Sequence, residues 1–111
     1  MATASAPKGW PTSLTIRGEK WSVTYHTDLR DGDTELLGRM VSHRRELQLD
    51  VDQTQDSMVH ILLHEIHHAY TVTSPPGAIT EEMHEVLCDH FGSSVKDLVR
   101  NNGLEWIRGG K

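Results

Sequence analysis

ELQLDVDQTQDSMVHILLHEIHHAY, residues 46–70, changes its hydrophobic period half-way along. In its first part Leu47, Leu49 and Val51 alternate with Gln48 and Asp50, the two-residue repeat of a strand with one face inward. From Thr54 onward the repeat lengthens. At about 100° per residue Val59, Leu62, Leu63, Ile66, Ala69 and Tyr70 gather on one side of a helix, and His64 and His68 fall on the opposite side. Thr54, Asp56 and Ser57 are each able to cap that helix by accepting a bond from an unpaired first-turn amide. A strand feeding a helix that backs onto a core is therefore the organising unit of the chain.

Upstream, residues 13–17 and 20–26 are rich in Thr, Val, Ile, Trp and Tyr and are split by Gly18-Glu19, which reads as two strands and a hairpin. Residues 28–33, centred on Asp31-Gly32-Asp33, read as a turn. Two further β-like runs, 39–42 and 46–50, flank the basic bend His43-Arg44-Arg45. Downstream, Ser74-Pro75-Pro76-Gly77 stops the first helix. A second helix is expected over residues 80–101, with Glu81 and Glu82 in its first turn and Asn102-Gly103 as its stop. Strands first and helices afterwards predict an α+β fold: a small antiparallel sheet of three to four strands followed by two main helices. With 111 residues and 36% hydrophobic content, residues 1–111 are expected to form one domain, with residues 1–11 flexible.

The totals exclude several classes of function. A net charge of -5 and no basic run longer than Arg44-Arg45 argue against a nucleic-acid partner. No stretch of eighteen apolar residues exists to span a membrane, and the single Cys88 cannot form an internal disulfide. The first eleven residues lack the apolar run of a secretory signal, so a cytoplasmic location is expected. The unusual total is eight His, six of them between His60 and His90.

His64-Glu65-Ile66-His67-His68 contains HExxH, in which two imidazoles one helical turn apart reach a shared metal and the Glu between them faces the same cavity. A catalytic zinc ion usually takes a third protein ligand and keeps its fourth position for water. On the expected second helix, Met83, Leu87, Phe91, Val95, Leu98 and Val99 form the apolar stripe, and Glu85 and Asp89 share the opposite side. Glu85 is thus the leading third ligand, with His84 and Glu82 remaining as alternatives. Asp89, one turn on, is placed to accept the second ring hydrogen of a metal-bound His, His64 being the favoured partner.

These residues resemble the gluzincin metallopeptidases, and within them the small ImmA/IrrE-like and phage-encoded metallopeptidase-like domains. The resemblance rests on residues 62–69, Leu-Leu-His-Glu-Ile-His-His-Ala, and on residues 85–92, Glu-Val-Leu-Cys-Asp-His-Phe-Gly. The second stretch is similar to an ExxADxFA pattern, with Cys88 and Gly92 in place of Ala. The likeness covers residues 46–102, about half the chain. It implies a zinc site formed by His64, His68 and Glu85, with Glu65 as the base that takes a proton from water and returns it to the leaving amine. It also implies a protein or peptide substrate in extended form, paired with the free edge of the strand at residues 46–51. Tyr70, Tyr25, His26, His84 and His90 are candidates for stabilising the developing oxyanion.

Other features have plainer explanations. His60 and His67 point between the core and the ligand side and suit surface positions, or positions supporting the ligands, rather than coordination itself. Glu81 and Glu82 are accounted for by the field at a helix start, Cys88 by small-residue packing, and Trp10, Trp21 and Trp106 by anchoring the core. Asp31-Gly32-Asp33 is too short for a calcium loop. The leading reading is a zinc-dependent, peptidase-like hydrolase. The rival is a zinc-stabilised, non-catalytic binding or regulatory module of phage or mobile-element origin, and another divalent ion that favours His and carboxylate is an alternative to zinc.

Overall fold

The computed structural model describes residues 2–73 and Glu85. Seven strands precede one long helix in this part of the chain: β1 (Ala2–Ala4), β2 (Ser13–Ile16), β3 (Glu19–Thr27), β4 (Arg30–Asp31), β5 (Thr34–Glu35), β6 (Gly38–Val41), β7 (Glu46–Asp50) and α1 (Gln55–Val72). Five of the strands form one sheet, ordered β1-β3-β7-β6, with β2 also paired to β3; β4 and β5 make a separate two-stranded ribbon. β1 and β2 share one edge of β3, pairing with its last and first residues respectively.

The sheet is mixed. β3 and β7 run parallel, Val23 opposite Leu47 and Tyr25 opposite Leu49, whereas β6 is antiparallel to β7. This corrects the expected α+β plan: the described residues hold a five-stranded mixed sheet and one α-helix, not a small antiparallel sheet followed by two main helices. The physical reason lies in β7, all five residues of which are buried. A strand covered on both faces suits the middle of a sheet, and the ribbon and β6 supply the long connection that a parallel pair requires. The expected second helix over residues 80–101 lies outside the described residues, apart from Glu85.

The polar residues of β7 are buried because each is bonded. The Thr24 hydroxyl and Gln48 Nε2 both donate to Glu46 Oε2, at 2.6 and 3.1 Å, and Arg39 Nε donates to Gln48 Oε1 at 3.0 Å. Asp50 accepts from the Leu29 and Asp52 amides. Burial alone would raise the Glu46 carboxyl, but these hydrogen bonds and the Arg44 charge hold it below its ordinary value. The opposite face of β7 carries Leu47 and Leu49, fully buried against Leu62 and Leu63 of α1.

Local chemistry sets the ends of the elements. Thr54 is the N-cap of α1, accepting from the Ser57 amide at 3.1 Å. Arg17 and Gly18, both at positive φ, form the tight turn between β2 and β3, which the twist of a hairpin favours. Arg17 then donates to the Tyr70 carbonyl and the Thr73 hydroxyl at the end of α1, and its guanidinium lies 5.4 Å from the Tyr70 ring centroid. Tyr70, assigned above to the apolar stripe, is accordingly exposed. The start of the chain also departs from expectation: Ala2–Ala4 pairs with β3, and Trp10 is buried alongside Trp21. Trp106 lies outside the described residues. No helix among the described residues is long and apolar enough to cross a membrane.

Gly38 brings the edge strand against the helix. A Cβ there would collide with Ile61 Cγ2 and come within 3.4 Å of Glu65 Cγ. Ile61 is β-branched and has little rotamer freedom on a helix, so β6 and α1 would have to separate. Gly38→Ala is expected to cost about 1–3 kcal/mol in chemical denaturation, the usual range for overpacking. A loss below about 0.5 kcal/mol would show that the two elements yield freely.

Candidate metal centre

α1 carries the proposed ligands one turn apart, on the side away from Leu62 and Leu63. His64 Nε2 and His68 Nε2 lie 3.0 Å apart, with their rings in an edge-to-face arrangement. Glu85, the described residue from the C-terminal part of the chain, brings Oε1 to 3.3 Å from His68 Nε2. One donor atom from each of the three residues falls within 4.8 Å of the others. Tetrahedral zinc with nitrogen and oxygen ligands at 2.0–2.1 Å places neighbouring donors roughly 3.3 Å apart, close to the His64–His68 and His68–Glu85 separations of 3.0 and 3.3 Å, with the third pair within 4.8 Å. His60 and His67 are not members of the group, although the His60 ring sits 6.4 Å from that of His64. Glu82, His84 and Asp89 lie outside the described residues.

Glu65 faces a cleft of about 310 Å³ between α1 and β6, lined also by His68, Gly38, Arg39, Met40, Asp31 and Leu36. It is only 8% exposed. Burial, and secondarily the charge of Glu85, push its carboxyl from 4.5 up to about 7. The effect on stability has a definite sign. In the metal-free chain the unfolded state releases this proton near pH 4.5 and the folded state keeps it until about pH 7, so folding loses stability as pH rises between those values. Metal-free Glu65→Gln is therefore expected to be more stable than the parent at pH 8, by on the order of 3 kcal/mol, and indistinguishable from it below pH 4.5. Thermal melts in chelator at the two pH values measure this, and a constant offset between the two proteins would refute the coupling.

The expected substrate-pairing edge needs correction. Residues 46–51 contain β7, which is bonded to β3 on one side and β6 on the other and has no edge to offer. Among the described residues the unpaired edge beside Glu65 belongs to β6. Three proposed oxyanion groups are also displaced from the cleft. The Tyr25 hydroxyl is buried and donates to the Pro11 carbonyl at 2.6 Å. His26 lies on the opposite face of the sheet, its Nε2 at 2.8 Å from the Thr24 hydroxyl, and Tyr70 is engaged with Arg17. His84 and His90 lie outside the described residues. The residues overlooked in the sequence are Gly38 and Arg39, whose only local signal is a glycine at the start of a short strand. No family model, curated protein or solved structure matches this chain, so its function has to be argued from these residues.

Proposed function

We propose that this chain is a zinc-dependent, peptidase-like hydrolase acting on an extended protein segment, with His64, His68 and Glu85 as ligands and Glu65 as the proton-transferring base. The observation that carries the reading is the convergence of the three donors within 4.8 Å, next to a buried carboxyl that opens onto a cleft. Zinc held there would supply Lewis acidity and an acidified water. In the metal-free chain burial raises the Glu65 carboxyl toward neutral pH, the direction that suits a general base that must also return the proton. Kinship with the gluzincins is part of the proposal, supported by HExxH and Glu85. So is a cytoplasmic setting, where a lone Cys88 stays reduced.

The non-catalytic reading, zinc as a folding element of a binding module, leaves Glu65 unexplained. A structural site gains nothing from a buried carboxyl beside it. The test is hydrolysis of an unfolded protein such as casein by the chelator-stripped chain, before and after addition of one equivalent of zinc. Turnover is expected only after addition. Stoichiometric zinc binding without turnover would favour the binding module, and absence of zinc binding would dismiss both.

A further inference from the structure

Among the described residues no strand pairs with the outer side of β6. On its inner side the Asp50 amide donates to the Leu37 carbonyl. Antiparallel ladders alternate, so Arg39 and Val41 turn their backbone groups toward β7, and the N–H and C=O of Gly38 and Met40 point outward. An extended chain laid along this edge finds donors and acceptors at two successive outward positions. The Gly38 end lies beside Glu65 and His68. At the Val41 end the edge runs into a second groove, of about 420 Å³, which shares Arg39 and Met40 with the first and continues through His43 to Arg44. The two form one track.

That track is cationic at its far end, on a chain whose net charge is -5. The Arg44 side chain is 64% exposed and meets Glu46 at 3.3 Å through one nitrogen. Arg39 reaches Gln48 through Nε, and His43 is exposed beside them. Antiparallel addition, the more stable way to extend an edge, sets the N-terminal half of an added strand against the Val41 end.

We propose that β6 and the groove of Arg39, His43 and Arg44 seat an extended peptide carrying an acidic side chain about two to four residues to the N-terminal side of the bond presented to Glu65. The position of that bond rests on the hydrolase reading; the docking of an acidic strand does not. The probes are fluorescein-labelled peptides of alternating Ser and Leu carrying either two Asp or two Lys, and an Asp peptide with its backbone N-methylated. Anisotropy is read on the zinc-loaded Glu65→Gln chain. The Asp peptide is expected to bind about tenfold more tightly than the Lys peptide, with a preference that weakens as salt rises. N-methylation should abolish binding, and His43→Glu and Arg44→Gln should each erase most of the charge preference. Equal binding of the Asp and Lys peptides, no binding of either, or a dimer in sedimentation that excludes them would overturn the inference. Preferential binding of the Asp peptide without cleavage by the parent zinc-loaded chain retires the hydrolase reading and leaves the docking site. Cleavage indifferent to charge does the reverse.

Discussion

Glu65→Gln in the zinc-loaded chain is expected to lower peptide hydrolysis by about 10³-fold and to leave the zinc content unchanged. Gln has the size and shape of Glu, so it fills the same buried position beside Gly38 and His68 without opening a cavity. It cannot accept a proton. The residue is not a proposed ligand, and His64, His68 and Glu85 keep their mutual spacing without it. Metal content and turnover should therefore separate at this position alone. Turnover within about threefold of the parent would assign proton transfer to another group. Joint loss of zinc and turnover would make Glu65 a structural element of the site, and the hydrolase reading would lose its base.

What the sequence disclosed about this molecule follows from which forces act locally. The helix of residues 55–72 was legible from its apolar repeat and its Thr54 cap, and the positions of His64 and His68 follow from helical geometry once its inner face is known. The strand at residues 46–50 was legible as a strand, but its place in the sheet was not. Alternating Leu and polar residues suggest one wet face, and here both faces are dry because Thr24, Arg39 and two backbone amides satisfy Glu46, Gln48 and Asp50. Those partners come from β3, β6 and the turns, so a local repeat carries no record of them. The parallel pairing of β3 with β7, the burial of Trp10 and the outward turn of Tyr70 are likewise long-range events. The cleft is a further case: it exists because Gly38 lets β6 approach Ile61 and Glu65, a contact spanning more than twenty residues of chain.

His68→Ala is expected to weaken zinc binding most, by at least about 10³-fold, followed by His64→Ala, with Glu85→Ala losing on the order of tenfold to a hundredfold. The order follows from geometry. His68 is the shared neighbour, 3.0 Å from His64 and 3.3 Å from Glu85, so its removal leaves the other two without a common centre. Glu85 is 65% exposed in its side chain, and water can take its coordination position at modest cost. Glu82→Ala, at the acidic position the sequence ranked second, is expected to bind zinc like the parent. Zinc should also raise the melting temperature of the parent, because ligand at a hundredfold excess over its dissociation constant adds about 2.7 kcal/mol to folding, and the two His variants should lose that gain. Titration calorimetry and melts with and without zinc read both effects on the same preparations. Should Glu82→Ala empty the site and Glu85→Ala leave it filled, the third ligand has been placed one turn too far along the chain, and the convergence seen at Glu85 is an ion pair with His68 and nothing more.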